Sequence, residues 1–119
     1  MAMRVMIFGN KMVTRRLSTA LAGEGIKVVS ASDGLDGMMA LLKQDEFDLA
    51  VVDSSVEGSE TVCHNIKQLW GIPVVLMVKG KQTDWEKLQS LDSDAYIPEG
   101  IGAAELAARL RAVVRRRSQ

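Results

Sequence analysis

The strongest candidate for a reactive group in this sequence is Asp53, a carboxylate that directly follows an unbroken apolar run. Residues 49–52 supply that run, and residues 54–58 follow it as a small, polar, glycine-containing loop. Such a run is typical of a strand in a parallel sheet that is covered by helices on both faces. In sheets of this kind, ligands lie just beyond the carboxyl ends of the strands. Asp53 is predicted to stand at that edge, and its chemistry depends on which groups join it there.

Few other residues are grouped in a way that indicates catalysis or metal binding. Cys63 and His64 are adjacent on one predicted helix, so they face different directions, and no further ligands lie nearby. Gly9 and Asn10 follow the first apolar run, but a phosphate-binding loop needs several spaced glycines before its helix. The sequence shows no assembled base, nucleophile and oxyanion donor, so we predict neither an independent enzyme nor a bound metal or cofactor.

Length and composition favour one globular domain. The chain has 119 residues, of which 47% are hydrophobic and 25% charged, and its 15 acidic and 15 basic side chains balance. Because the charges balance, the chain as a whole is not expected to attract nucleic acid electrostatically. Residues 115–117 nevertheless form a local basic run. The single cysteine suits a reducing compartment, and no apolar run approaches the roughly 20 residues that span a bilayer. We therefore expect no membrane segment and a cytoplasmic location.

The elements that position Asp53 are five predicted strands alternating with five predicted helices. The predicted strands are residues 4–8, 26–29, 49–53, 73–78 and 94–97. The five predicted helices begin near residue 12, at Ser32 or Asp33, after residue 58, at residue 84 and at residue 103. The last of them runs to residue 116. The connections are too long for hairpins and suit parallel crossovers. The pattern predicts a doubly wound, flavodoxin-like (βα)5 α/β sandwich with a five-stranded parallel sheet.

Four stretches of the chain together resemble the receiver domain of two-component response regulators, over essentially the whole length. They are residues 48–53, 73–78, 94–96 and 105–116. The resemblance implies a set of working groups at the strand ends. In the family, an acidic pair after strand one binds magnesium, and an aspartate ending strand three attacks the phosphoryl donor. A threonine or serine after strand four and a lysine after strand five hold the phosphoryl oxygens.

Counted without gaps, this chain keeps only the nucleophile of that set. Asp53 falls on the nucleophile, Gly9 and Asn10 on the acidic pair, Val78 on the hydroxyl residue and Glu99 on the lysine. A carboxylate in place of the lysine reverses a charge where phosphate needs a cation. Two charges about 4 Å apart interact by roughly 4 kcal/mol at an intermediate dielectric. We therefore predict that Asp53 is not a working phosphoacceptor and that the site holds no metal.

Three roles for Asp53 stay open at this point. It could form a structural ion pair with Lys11 or Lys79, in which an ammonium group replaces the metal's charge. It could retain residual phosphorylation, or it could be a plain solvent-exposed acid.

The last predicted helix carries a candidate interface. Asp94, Glu105 and Arg109 match positions through which receivers of the winged-helix transcription-factor class dimerise. The basic partner on the family's fourth helix falls on Trp85, with Lys87 two residues later, which indicates a more apolar contact. Alternatively, Glu105 and Arg109 form only a local ion pair, since they are four residues apart on one helix.

Tyr96 and the basic tail complete the resemblance. Tyr96 matches the strand-five aromatic that turns inward when a receiver is phosphorylated. Without a hydroxyl at Val78, its ring is expected to stay in one rotamer, or else to lie at the sheet edge with its hydroxyl in water. Residues 115–119 resemble the start of a linker to a DNA-binding effector domain.

The sequence thus predicts that residues 1–119 form an atypical receiver, or pseudo-receiver, that signals by protein–protein contact. The face that bears Trp85, Tyr96 and Arg109 is expected either to form a homodimer or to dock another protein. Two other hypotheses remain. One is a phosphorylation-competent receiver with Asp53 as its phosphoacceptor. The other is a small-ligand-binding flavodoxin-like domain that uses the emptied pocket of Gly9, Asn10 and Val78.

Overall fold

A five-stranded sheet forms the centre of the molecule, and each strand runs parallel to its neighbours. The computed structural model describes residues 3–31, 43, 46–78 and 93–117. The strands are β1 (Arg4–Phe8), β2 (Lys27–Ala31), β3 (Leu49–Asp53), β4 (Val74–Val78) and β5 (Ala95–Pro98). Their order across the sheet is β2-β1-β3-β4-β5. This order is typical of flavodoxin-like sheets and confirms the predicted fold class.

Three helices flank this sheet in the described part of the chain. They are α1 (Lys11–Ala22), α2 (Ser59–Leu69) and α3 (Ala103–Arg117). Two further predicted helices, one beginning at Ser32 or Asp33 and one over residues 84–91, lie outside the described residues. No helix among the described ranges is long and apolar enough to cross a membrane.

The sheet has a separate apolar core on each face because successive side chains of a strand point to opposite sides. On one face, Val5, Ile7 and Val51 pack with the buried stripes of α1 and α3. On the other face, alternate strand residues pack with Val62, Cys63 and Ile66 of α2. The central strands β3 and β4 are buried along their whole length, as their apolar runs predict. Asp53 therefore lies at the end of a strand that is buried on both faces.

Element boundaries differ from the predicted ones by up to two residues, and β2 shows why. The predicted strand begins at Ile26, but the backbone N–H of Ile26 donates to the carbonyl of Leu21 at 3.0 Å and so closes the end of α1. The strand proper therefore begins at Lys27 and extends to Ala31.

The helical spacing of Val62, Ile66 and Leu69 predicts that all three face the core from α2, and this prediction is only partly correct. Val62 and Ile66 are fully buried, whereas the side chain of Leu69 is 59% exposed. The helix ends at this point, with the backbone N–H of Trp70 bonded to the carbonyl of Ile66 at 3.0 Å. Trp70, rather than Leu69, packs against the core on the α2 face.

Candidate functional site

The predicted site residues lie at the carboxyl edge of the sheet. Asp53 ends β3 and pairs in register with Met77 of β4, while Val78 ends β4 and pairs with Pro98 of β5. Glu99 follows directly, and its backbone N–H donates to the carbonyl of Val78 at 2.8 Å. The parallel sheet thus brings the ends of these strands to one edge, as the sequence predicts.

The Asp53 carboxylate is buried, and its two oxygens differ in their surroundings. The residue is only 2% exposed. Its Oδ1 accepts hydrogen bonds from the Ser55 backbone N–H at 3.0 Å and from the Ser55 hydroxyl at 2.7 Å. Its Oδ2 is buried and has no hydrogen-bond partner in the part of the chain described. The hypothesis of a solvent-exposed Asp53 is therefore wrong.

No cation neutralises Asp53 within the described ranges. Lys11 forms no ion pair with it, and the ion pairs of this part of the chain join other residues. The predicted pair with Lys11 is not observed, and Lys79 lies outside the described residues. A buried carboxylate without a cation is energetically unfavourable, so its environment is unusual for a purely structural acid.

Gly9 is packed closely against Asp53. A Cβ atom placed on Gly9 would lie 3.1 Å from the Asp53 Cβ and 3.6 Å from its Oδ2. The buried Thr14 hydroxyl donates to the Gly9 carbonyl at 3.3 Å and holds this turn in place. An acidic side chain at position 9 would therefore need its neighbours to move. The space predicted for a small ligand beside Gly9 is narrow on the Asp53 side, and ligand binding there stays a prediction.

The side chain of Asn10 is used to cap a helix. Its Oδ1 accepts the backbone N–H of Val13 at 2.9 Å, and its backbone is extended, as expected of an N-cap. The first turn of α1 would otherwise leave such donors unpaired. Asn10 therefore directs its oxygen toward α1, away from a role as a metal ligand beside Asp53.

Val78 and Glu99 supply neither the hydroxyl nor the cation that phosphate would need. Val78 is 4% exposed and packs in the core on the α2 face. The Glu99 carboxylate lies 3.5 Å from the Arg16 guanidinium, in an ion pair whose side chains are 31% and 53% exposed. Glu99 thus contacts α1, and it brings negative charge to the position where the family resemblance implies a lysine.

The donor set at this edge does not fit a divalent cation. Among the described residues there is no group of three or more His, Cys, Asp or Glu side chains that could hold a metal. Magnesium prefers octahedral coordination by carboxylates and water. Here Asp53 is the buried carboxylate, and the Asn10 oxygen is already bonded to α1.

Several of the predicted interface residues are bonded to other residues of the same chain. Asp94 Oδ2 accepts hydrogen bonds from Lys67 Nζ at 2.7 Å and from the Val74 backbone N–H at 2.8 Å. The Glu105–Arg109 pair forms within α3 at 2.9 Å, which confirms the predicted local ion pair.

The other predicted interface residues give no evidence of a dimer. Tyr96 is half-buried and packs on the α2-face core, whereas Trp85 and Lys87 lie outside the described residues. Dimerisation through this face therefore stays a prediction.

Sequence reasoning overlooked four side chains that shape these two regions. Ser55, Thr14, Arg16 and Lys67 contact Asp53, Gly9, Glu99 and Asp94 respectively. A signal for Ser55 was present, because a serine two residues after an aspartate at a strand end can close a local turn. The pairs of Arg16 with Glu99 and of Lys67 with Asp94 join distant parts of the chain and left no sequence signal.

Known proteins resemble this chain both in sequence and in fold. No family model matches the chain. The chain is similar to the response regulator ArlR of Staphylococcus aureus, with 32% identity over 112 residues, covering 90% of this chain and 50% of ArlR. It therefore spans about half the length of the response regulators that it matches.

Solved structures support the fold across nearly the whole chain. A CheY-like response regulator receiver domain protein from Methanospirillum hungatei has a TM-score of 0.82 at 18% identity, covering 99% of this chain and 98% of its own. An orphan response regulator of H. pylori has a TM-score of 0.71 at 21% identity, covering 94% and 96%. At these identities the structural likeness concerns the fold alone.

Proposed function

The chain is a receiver domain of the response-regulator type, and from this premise we propose that it works as an atypical receiver in signal transduction. In this proposal, the domain signals through protein–protein contact and does not depend on phosphorylation of Asp53. Its full-length protein regulates transcription in the cytoplasm through a DNA-binding domain that follows the receiver. The domain itself is not an enzyme and needs no cofactor.

One observation carries the proposal: the buried Asp53 carboxylate has no cation beside it among the described residues. Phosphoryl transfer to a carboxylate brings together two negatively charged groups, so catalysis depends on cations that neutralise the transferred oxygens. Lys11 forms no pair with Asp53, and the Asn10 oxygen caps α1. The described residues therefore offer a phosphoryl donor at Asp53 none of the positive charges that make attack by the carboxylate favourable.

The neighbouring residues oppose a phosphoryl group as well. Val78 has no hydroxyl to bond a phosphoryl oxygen, and it is buried in the core. Glu99 adds a negative charge that, among the described residues, is offset by the partly exposed Arg16. Both features disfavour a phosphoryl group at Asp53, and they support signalling that is independent of aspartyl phosphate.

In this proposal, protein contacts are made through the face that carries Trp85, Tyr96 and Arg109, including contact with a second copy of the domain. Arg109 is partly exposed even within its pair with Glu105, at 48% of its side chain, so it remains accessible to a partner. The half-buried Tyr96 would contribute an aromatic contact, a residue type enriched in interfaces.

The test is an amide NMR titration with magnesium, followed by magnesium plus beryllofluoride, which imitates an aspartyl phosphate. We expect no saturable shifts at Gly9, Asp53, Val78 or Tyr96, because no described residue supplies the necessary cation beside Asp53. Saturable shifts that centre on Asp53 and extend to Tyr96 would overturn the proposal.

A matched variant shows that the titration can detect a working site. Asn10→Asp, Val78→Thr and Glu99→Lys together return an acid, a hydroxyl and a cation. Aspartate is as good an N-cap as asparagine, so α1 should keep its start. Gly9 is left unchanged because of its close contact with Asp53. A response in this triple variant, combined with silence in the natural sequence, would locate the loss in these three positions.

A phosphorylation-competent receiver is the second candidate, and one observation favours it. The Asp53 Oδ2 is buried and lacks a hydrogen-bond partner in the described ranges. An unpaired carboxylate oxygen is what an incoming cation or phosphoryl group would engage. The same titration separates the two candidates, since this one requires magnesium-dependent shifts at Asp53.

A further inference from the structure

A cavity of about 1100 Å³ lies at the amino edge of the sheet, opposite the edge that carries Asp53. Arg4 begins β1, Ile26 and Asp48 directly precede β2 and β3, and all three residues line the cavity. The second half of α3 supplies another part of its wall. We call this space the amino-edge cavity. Pockets for small ligands usually measure roughly 300–1,000 Å³, so this one has room for an organic molecule.

Apolar and aromatic side chains form part of the cavity wall. Ile26 and Phe47 are buried, at 3% and 7% exposed, so they lie at its base. Trp70 and Ile72 also line the cavity and are half-buried. The Arg4 guanidinium lies over the Phe47 ring, 5.7 Å from the ring centroid, in a cation–π contact. The cavity therefore offers two aromatic rings and aliphatic surface against which another aromatic ring can pack.

Two arginines of α3 bring positive charge to the same cavity. Arg111 and Arg115 both line it and are four residues apart, so they lie on one side of the helix. Arg111 Nη2 donates to the Glu24 carbonyl at 2.7 Å, which fixes the guanidinium beside the turn that follows α1. Among the described residues, neither arginine forms an ion pair with an acid. Like charges at this spacing disfavour a helix slightly, so the stability of α3 does not explain the pair.

Two acids limit the charge that a ligand of this cavity can carry. Glu46 and Asp48 flank Phe47, line the cavity and are exposed. Asp48 Oδ2 accepts the Arg4 backbone N–H at 2.8 Å, which holds this carboxylate at the start of β1. In addition, α1, α2 and α3 all end at this edge, and the dipole of a helix disfavours negative charge near its carboxyl end. A polyanion such as a nucleotide would therefore be repelled, whereas a single anionic group can be paired with the arginines.

We propose that the amino-edge cavity binds a small aromatic carboxylate. The ring of this ligand packs against Phe47 and Trp70, and its carboxylate pairs with Arg111 and Arg115. The planar guanidinium group matches the geometry of a carboxylate and can donate two hydrogen bonds to it at once. The neighbouring acids favour a ligand with one negative charge over a ligand with several.

This site is separate from the candidate site around Asp53. The strands β1 and β3 begin at the amino-edge cavity and end at the opposite edge, next to Gly9 and at Asp53 respectively. The inference does not rest on the proposed function, because binding here requires neither phosphorylation nor its absence. Failure of the beryllofluoride experiment would therefore leave this proposal standing, and the reverse also holds.

The test is an NMR titration of the 119-residue chain with 2-naphthoate, the neutral alcohol 2-naphthalenemethanol and ADP. With 2-naphthoate we expect saturable amide shifts at residues 46–48, 70–72 and 108–115, and at the indole N–H of Trp70. The amide of Asp53 should not shift. The neutral alcohol should bind roughly fivefold more weakly or less tightly still, because it lacks the charge that the arginines recognise. ADP should bind more weakly than 2-naphthoate.

Variants of exposed residues on α3 test the role of charge without disturbing the core. Arg115→Gln should weaken binding of 2-naphthoate about fivefold, because one of the two pairing charges is lost. Arg116→Gln is the matched control, since Arg116 is also an exposed base of α3 but does not line the cavity. Ala108→Glu places an acid one helical turn from Arg111 and should weaken binding about tenfold or more. Its control is Ala104→Glu, at an exposed position of α3 outside the cavity.

Four results would overturn the proposal. They are equal weakening by Arg115→Gln and Arg116→Gln, binding of the neutral alcohol as tight as that of 2-naphthoate, tighter binding of ADP, and an absence of shifts around the cavity. A dilution series without any probe covers a second copy of the chain as the occupant. If concentration alone shifted the same amides and 2-naphthoate did not compete, the cavity would be an interface between copies and the proposal would be wrong.

Discussion

Two aspartates at opposite edges of the sheet are held in contrasting ways. Asp94 precedes β5 at the amino edge, where its Oδ2 accepts hydrogen bonds from Lys67 Nζ at 2.7 Å and the Val74 N–H at 2.8 Å. Asp53 ends β3 at the carboxyl edge, where Ser55 supplies two donors to Oδ1 and Oδ2 lacks a partner in the described ranges. The first carboxylate has a cation, and the second has none that the described residues provide.

The difference indicates that Asp94 stabilises the fold, whereas stability does not explain the acid at position 53. Asp94 connects α2, β4 and β5, so its charge contributes to the stability of the fold. Asp53 is 2% exposed, and burying a charge without a cation carries a desolvation cost. The chain is therefore expected to fold at least as well without the Asp53 charge. Packing therefore does not require an acid at position 53, which the family resemblance assigns to the nucleophile.

The largest expected effect comes from removing the Asp94 side chain. Asp94→Ala should destabilise the domain by about 2 kcal/mol, because it removes two charge-assisted hydrogen bonds and the ion pair of Lys67, whose side chain is 16% exposed. Urea unfolding followed by circular dichroism measures the change. Asp94→Asn should cost about 1 kcal/mol, since the amide oxygen can still accept the Val74 N–H.

Asp48 provides a matched control at the same edge of the sheet. Its Oδ2 accepts the Arg4 backbone N–H at 2.8 Å at the start of β1, but it forms no ion pair with a lysine in the described ranges. Asp48→Asn should therefore change stability by less than about 0.5 kcal/mol. If Asp94→Asn were equally mild, the Lys67 pair would not be stabilising and the comparison with Asp53 would fail.

Neutralising Asp53 should have a smaller effect of the opposite sign. Asp53→Asn keeps an oxygen for the Ser55 donors and removes the buried charge. We expect stability to stay unchanged or to rise by up to about 1 kcal/mol. The same urea unfolding experiment applies. A loss of 2 kcal/mol or more would mean that a cation or another partner stabilises the carboxylate.

The smallest effect is expected at the exposed ion pair of α3. Glu105→Gln removes the 2.9 Å pair with Arg109, whose side chains are 60% and 48% exposed. Pairs of this kind contribute about 0.3–0.5 kcal/mol in a helix, so the change in unfolding free energy should stay within that range. The effect should shrink further at high salt. A salt-insensitive loss would indicate that Glu105 has a role beyond this pair.

Much of the fold was predictable because its signals are local. The continuous apolar runs of β3 and β4 require cover on both faces, and the spacing of Val13, Leu17 and Leu21 predicts one buried side of α1. The Glu105–Arg109 pair was predictable for the same reason, since four residues of helix bring two side chains together. Leu69 was less predictable, because helical spacing does not show that α2 ends there and leaves the side chain exposed.

The residues of the candidate site were predictable from the sequence, but the directions and partners of their side chains were not. The sequence predicts that Asp53 ends an apolar strand, and the family resemblance assigns Gly9, Asn10, Val78 and Glu99 to the positions of the other working groups. It does not show where their side chains are directed.

Only the tertiary structure decided how these charges are partnered. Arg16 meets Glu99, and Lys67 meets Asp94, across separations of 83 and 27 residues. Such pairs depend on how helices pack across the ends of the strands, which no local pattern records. The strands, the helices and the fold class follow from hydrophobic periodicity along the chain, whereas the partner of each buried or half-buried charge follows from packing between elements.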